Sequence, residues 1–221
     1  MELLTIQYFP ALAVSLAAVF TAREVVTFQE KYKLKYIFTP MVTAFVAGVV
    51  ILSIADDGVT PYRIMILIAL MLSLIADTML MVVEVDLMEQ GIAYFLLAHV
   101  FYSIAFSLSY EFKGWNLIIA AVLLICLIVF YLGIRSTVGR LQIPILIYTI
   151  ALSAMLFFAV ASLNHDVTRR GLCIIAGAIL FAISDFLIVY LTFIKPHKKE
   201  SVIVWAVYAP AQTLLALSCF G

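Results

Sequence analysis

Charge is scarce in this sequence: 13 Lys and Arg and 13 Asp and Glu among 221 residues, 12% of the chain, with a formal net charge of zero. So balanced a set gives no net basic character of the kind that suggests nucleic acid, and no nucleic-acid partner is expected. Three cysteines are too few for a disulfide framework; Cys126 and Cys173 lie in apolar runs, and these two and Cys219 read as packing residues. Of three histidines, His165 and His197 lie in polar connections and only His99 lies inside an apolar run. A catalytic zinc needs about three protein ligands, and no spaced His pair exists; no metal or other cofactor is expected. What fills the chain instead is apolar side chain, 66% of residues with a mean hydropathy of +1.20. That is far outside soluble usage and defines an integral membrane protein.

Apolar runs of about 17 to 25 residues, broken by charge clusters, give the spans. Eight are expected, at 3–22, 36–54, 62–83, 91–110, 115–133, 142–161, 171–194 and 201–219. The first has only Glu2 before it and lacks the basic leader of a signal peptide, so it is read as a true span. The connections are short and none resembles a soluble domain. The expected fold is all-α, a polytopic membrane bundle of eight helices forming one transmembrane domain over residues 1–221.

The Lys and Arg count sets orientation. One side holds Arg23, Lys31, Lys33, Lys35, Arg135, Arg140, Lys195, Lys198 and Lys199; the other holds Arg63, Lys113, Arg169 and Arg170. The first side is assigned to the cytoplasm, which places both termini outside, in a bacterial inner membrane or an endomembrane.

Against these spans, only two charged residues fall well inside: Asp77 in "LSLIADTML" and Asp185 in "LFAISDFLI". An acid at such depth costs several kcal/mol unless it is paired, hydrated or protonated, and it marks a functional site by default. The alternative is a protonated Asp that joins two helices by hydrogen bonds. Each Asp follows a Leu by five residues and precedes an aliphatic residue by three, and four helices separate them. That spacing predicts a parallel internal repeat of four plus four spans. Pro40 and Pro144, and His99 and Gln212, are further candidate equivalents.

At about 1.5 Å per residue, Asp77 lies roughly 10 Å and Asp185 roughly 15 Å inside the cytoplasmic ends of their helices. By the same rule His99, Tyr148 and Gln212 lie about 13, 12 and 18 Å in. Five helices thus bring polar groups to one layer that opens toward the basic loops. Tyr94, Tyr102, Tyr148 and Tyr208 also suit interfacial or packing roles. Ser73 and Ser184, with no His at triad spacing, read as helix-contact residues, and Met71, Met79 and Met81 as core.

"SLIADTMLM", "YFLLAHVFY", "IPILIYT…SAM" and "GAILFAISDFLIVY", followed by "YAPAQTLLA" in the last span, together resemble the YhhN family of eight-span membrane proteins, which includes lysoplasmalogenases. The resemblance runs in order over nearly the whole chain and is most specific in the two Asp-bearing helices. Two departures stand out. Where the family often shows Lys-Pro-Leu at the start of the second helix this chain reads "KYIFTPM", and Ala76 precedes the first Asp where Gly is common.

The resemblance implies an enzyme that hydrolyses the vinyl ether bond of a lysoplasmalogen, a lysophospholipid drawn from membrane lipid. The products are a fatty aldehyde and glycerophospho-ethanolamine or glycerophospho-choline. Such a bond is cleaved by protonating the distal alkene carbon, after which water captures the oxocarbenium ion. Two buried carboxyls can divide that work, one as proton donor and one as ionised partner. On this reading Asp77 and Asp185 are the catalytic candidates. His99, Tyr148 and Gln212 would orient water or glycerol oxygens, and Lys35, Arg140 or Lys195 would meet the phosphate. A proton-coupled transporter of a small molecule or lipid would use the same two Asp. An intramembrane aspartyl protease is disfavoured, because "AIS" precedes Asp185 in place of Gly-x-Gly.

Overall fold

The computed structural model describes residues 3–82, 84–164 and 168–220; Glu2, Val83 and His165 lie outside them. Eight helices carry the chain: α1 (Leu3–Phe28), α2 (Tyr32–Asp57), α3 (Pro61–Met81), α4 (Met88–Ser107), α5 (Asn116–Ile134), α6 (Gln142–Ala161), α7 (Arg169–Val189) and α8 (Glu200–Leu217). All eight are long and apolar enough to cross a membrane, and among the described residues there is no strand. The protein is a multi-pass helical membrane bundle, as the hydropathy predicts. In a bilayer core every backbone N–H and C=O must find its partner within the protein, and a helix satisfies them locally.

The helix ends are chemically marked. Gly58, at φ +83°, closes α2 through its N–H to the Ile54 carbonyl, a backbone conformation that favours glycine. Thr60 then caps α3 by accepting the Arg63 N–H, with Pro61 in the first turn, and Thr168 caps α7 by accepting the Gly171 N–H. Each Asp-bearing helix therefore starts from a Thr cap 17 residues before its acid. Arg63 ties this end together: it bonds the Cys219 carbonyl at 3.0 Å, the Gly58 carbonyl at 2.9 Å and Asp57 at 2.5 Å. At its other end α7 loosens into a π-helical turn over Tyr190–Ile194.

The packing follows a four-plus-four order. α1 packs on α2 as α5 does on α6, α2 on α3 as α6 on α7, and α3 on α4 as α7 on α8; across the halves α4 meets α6 and α8 meets α2. Small residues set the closest approaches. A Cβ on Gly177 would come 2.7 Å from the Leu215 side chain and 3.1 Å from the Ala211 carbonyl, and one on Gly91 would lie 2.5 Å from Leu80. Such contacts are how helices gain dispersion energy in lipid, where apolar surface has no water to escape. α5 is the outlier, packing chiefly on α6 and exposing Leu117, Ile118, Val122, Ile125 and Val129. Its uncharged outer face suits contact with lipid tails.

One expected boundary is corrected with consequence. α1 runs to Phe28 and not to residue 22, so Arg23 and Glu24 are helical, and Arg23 is fully buried. The pair neutralises itself across 2.6 Å, which removes the reason a charge cluster ordinarily ends a span.

Candidate functional site

Helical spacing puts Asp77 and Asp185 on the inner faces of α3 and α7, each 6 to 7% exposed. Around Asp77 the partners are neutral hydroxyls: Thr43 of α2 donates to Oδ2 at 2.8 Å and Tyr208 of α8 at 3.0 Å. The Tyr208 oxygen in turn accepts from Gln212 Nε2 at 2.8 Å, and Gln212 Oε1 accepts from Tyr102 at 2.6 Å. A chain of hydrogen bonds therefore runs from α4 through α8 to the first acid.

Asp185 has a different setting. Tyr148 of α6 donates to Oδ2 at 2.8 Å, and His99 Nε2 of α4 lies 3.3 Å from the same oxygen and 3.0 Å from the Tyr148 oxygen. The imidazole is fully buried, edge-on to Phe181 at 4.8 Å between ring centres, and its Nδ1 has no hydrogen-bond partner. With Nδ1 unpartnered, the tautomer that places the proton on Nε2 makes His99 a donor to the carboxylate. Each acid is thus held by two helices of even number, α2 and α8 for Asp77, α6 and α4 for Asp185. Shifting every label by four turns one set into the other.

Both carboxyls line one cavity of about 250 Å³, together with Arg23, Lys35, Thr39, Glu200, Ser201 and Tyr208. A second cavity of about 240 Å³, walled by Leu, Ile and Phe side chains between α5, α6 and α7, also reaches Asp185 and Tyr148. Asp185, Leu80, Met88, Phe95 and Ile188 belong to both. Asp185 therefore stands where a polar chamber meets an apolar one. A third cavity, of about 1200 Å³, lies around Arg63, Arg169 and Arg170 and touches neither acid.

Among the residues expected from sequence, Asp77, Asp185 and Lys35 share the polar cavity, and His99 and Tyr148 bond Asp185 directly. Gln212 does not line the cavity; one turn beyond Tyr208, it reaches Asp77 only through that phenol. Arg140 is turned outward, two-thirds exposed and paired with Asp86 and Glu89, and Lys195 is exposed and outside the cavity. Neither lines the cavity that holds the two acids, and Asp86 and Glu89 hold Arg140 at the surface.

Sequence reasoning missed Thr43, because a Thr in an apolar run carries no signal of its own. It missed Tyr208 as a carboxylate partner because it read the phenol as packing. It missed Arg23 because it ended the first helix too early. The paired Thr caps at equal distance from the two acids were a legible signal that went unused. Cys219, beyond the last helix, is buried far from the acids, and burial pushes its thiol up to about 12, which leaves it inert as a nucleophile. Among the described residues no three His, Cys, Asp or Glu side chains gather as metal ligands do.

An all-helical membrane bundle in which Asp77 and Asp185 face one internal chamber is a class with several uses. The comparison with known families narrows it: the YhhN family model matches residues 34–219, and the chain belongs to the YhhN family. No curated protein and no solved structure matches it. The match leaves out α1 and so leaves out Arg23.

Proposed function

We propose that this protein is a membrane hydrolase that cleaves the vinyl ether bond of lysoplasmalogens, releasing a fatty aldehyde and a glycerophospho-ethanolamine or glycerophospho-choline. The observation that carries the reading is that Asp77 and Asp185 line one cavity, which adjoins an apolar cavity at Asp185. A single-chain lipid has the same two parts. Its alkenyl chain fits among the Leu, Ile and Phe of the apolar side and its glycerol end fits the polar side, so the ether bond falls beside Asp185.

The chemistry asks for little beyond two carboxyls. One delivers a proton to the distal alkene carbon, and the π electrons that accept it leave an oxocarbenium ion at the carbon bonded to oxygen. The other, ionised, faces that cation and takes a proton from the water that adds to it, as the paired acids of glycosidases do. The hemiacetal then collapses to aldehyde and free glycerol hydroxyl. His99 and Tyr148 fix the carboxylate of Asp185, and Thr43 and Tyr208 fix that of Asp77. On this reading the termini lie outside and the polar cavity opens to the cytoplasmic leaflet.

The test is aldehyde release from lysoplasmenyl-ethanolamine by the purified protein in detergent, beside Asp77→Asn and Asp185→Asn. Release by the wild type that either substitution abolishes supports the reading; release unchanged in both variants ends it. One observation keeps a second reading in view. An acid in each half of a four-plus-four bundle also suits a proton-coupled transporter, which would show uptake into proteoliposomes that collapses with the proton gradient and no turnover in detergent.

A further inference from the structure

Arg23 is the least expected residue at the cavity. A guanidinium with no exposure in a membrane helix is expensive, and its partners account for only part of it. Nη1 donates to Glu24 at 2.6 Å and to the Ser201 carbonyl at 3.0 Å, and Nη2 donates to the Ser201 hydroxyl at 2.6 Å. The plane lies over the Trp205 ring at 4.3 Å. These contacts fix the side chain at both ends. Its Nε–H is buried and has no partner.

A second orphan lines the same cavity. Thr39 is 1% exposed and its hydroxyl has no partner. Lys35, one turn before it on α2, completes the set on the cavity wall, close enough to Arg23 for their charges to interact. Buried donors are nearly always satisfied in folded proteins; Glu24 Oε2 is a buried acceptor without a partner too, but Glu24 does not line the cavity, so the two orphans on the cavity wall call for an acceptor inside it. The cavity lining also holds Glu200 and Ser201, the first residues of the eighteen-residue α8, whose N-terminal dipole end favours an anion. Glu200 is near enough to Lys35 for their charges to interact and its Oε1 accepts from the Thr192 hydroxyl at 3.0 Å, but it bonds neither orphan.

We propose that Arg23, Lys35 and Thr39 form a binding subsite for a phosphate ester, with Ser201 and Glu24 as the groups that hold Arg23 in place. A phosphodiester has the two free oxygens that a guanidinium and an ammonium can share, and its ester oxygens accept from a hydroxyl. The subsite deepens the lysoplasmalogen reading, on which its lipid source rests: it assigns the headgroup phosphate to α1 and α2, in the cavity that both acids line. It also makes α1, the helix that the family model leaves unmatched, part of the binding machinery.

The test is a binding measurement and needs no turnover. The probes are a saturated 1-alkyl lysophospholipid, which has no vinyl ether to cleave, the uncharged 1-alkylglycerol of equal chain length, and inorganic phosphate. All are titrated calorimetrically into full-length protein in detergent. The wild type should prefer the phospholipid by about tenfold or more, the worth of one charge-assisted hydrogen bond. Arg23→Gln and Lys35→Gln should each erase most of that preference, leaving alkylglycerol binding unchanged. Thr39→Val keeps shape and removes an oxygen with no partner in the fold, so it should unfold no more easily than wild type while losing about threefold in phospholipid affinity.

Equal binding of the two lipids by the wild type, or a preference that survives all three substitutions, would overturn the subsite. Should Arg23→Gln fail to fold, Lys35→Gln and Thr39→Val decide alone. Inorganic phosphate that binds as tightly as the phospholipid would overturn the lipid source and leave a free phosphate ester as the ligand. Failure of aldehyde release with the lipid preference intact would sink the hydrolase reading and spare the subsite.

Discussion

The two acids occupy equivalent places in the two halves of the bundle and live in different chemistry. Asp77 is held by a threonine and a phenol, with a relay of Tyr208, Gln212 and Tyr102 behind it; Asp185 is held by a phenol and an imidazole and borders the apolar cavity as well as the polar one. Hydroxyls can donate or accept, so the first site accommodates a carboxyl in either protonation state. The second site replaces one hydroxyl with an imidazole, whose Nε2–H, in the tautomer described above, can only donate. One scaffold repeated twice thus offers two environments, and paired carboxyls with unlike surroundings are how acid and base roles are divided in a single site.

The division between the two halves breaks most forcefully at the carboxyls themselves. Asp185→Asn and Asp77→Asn should each lower aldehyde release by about 10²- to 10⁴-fold, the range of general acid–base catalysis, with helical content retained by circular dichroism. A loss at one acid and full activity at the other would mean that the two halves do not share the work. Next in size, His99→Gln should cost about ten- to a hundredfold in kcat, the worth of a hydrogen bond to a charged group, with little change in KM. An unchanged kcat would reduce His99 to packing against Phe181.

The two phenols sharpen the contrast. Tyr148→Phe removes a direct donor to Asp185, and Tyr208→Phe removes a donor to Asp77 and strands Gln212 Nε2 as well. Tyr208→Phe should therefore be the less stable of the two, by about 1 to 3 kcal/mol for the unsatisfied amide, read as a larger fall in melting temperature in detergent. Equal losses would show that Gln212 finds another partner. The smallest effect compares helix contacts. Gly177→Ala meets a backbone carbonyl as well as Leu215, whereas Gly91→Ala meets the Leu80 side chain and no backbone atom. Gly177→Ala should lower the melting temperature by several degrees, about what 1 to 2 kcal/mol produces in a domain of this size, and Gly91→Ala by less.

Much of this architecture is legible in the order of residues alone. Hydropathy and charge spacing locate eight spans, within a few residues except at the end of the first, because the cost of an unsatisfied backbone or a lone charge in lipid is levied segment by segment. The same local cost singles out Asp77 and Asp185, and their matched flanks announce the four-plus-four order. Depth singles out His99 and Tyr148, and Lys35 enters only with the phosphate that the family resemblance implies. What fails is pairing. Thr43 and Tyr208 are ordinary residues until α2 and α8 bring them to Asp77, and Gln212, placed by depth in the right layer, turns out to stand behind a phenol.

Arg23 marks the boundary between the two kinds of knowledge. By itself the sequence determined that the chain has eight segments long and apolar enough to cross a membrane and carries two acids where acids are costly, since both depend on local free energies of transfer. Only the tertiary structure decided that a cation lies buried beside them. The pairing with Glu24, the Ser201 contacts and the Trp205 face that make its burial tolerable come partly from a helix nearly 180 residues away, and no window of sequence contains them.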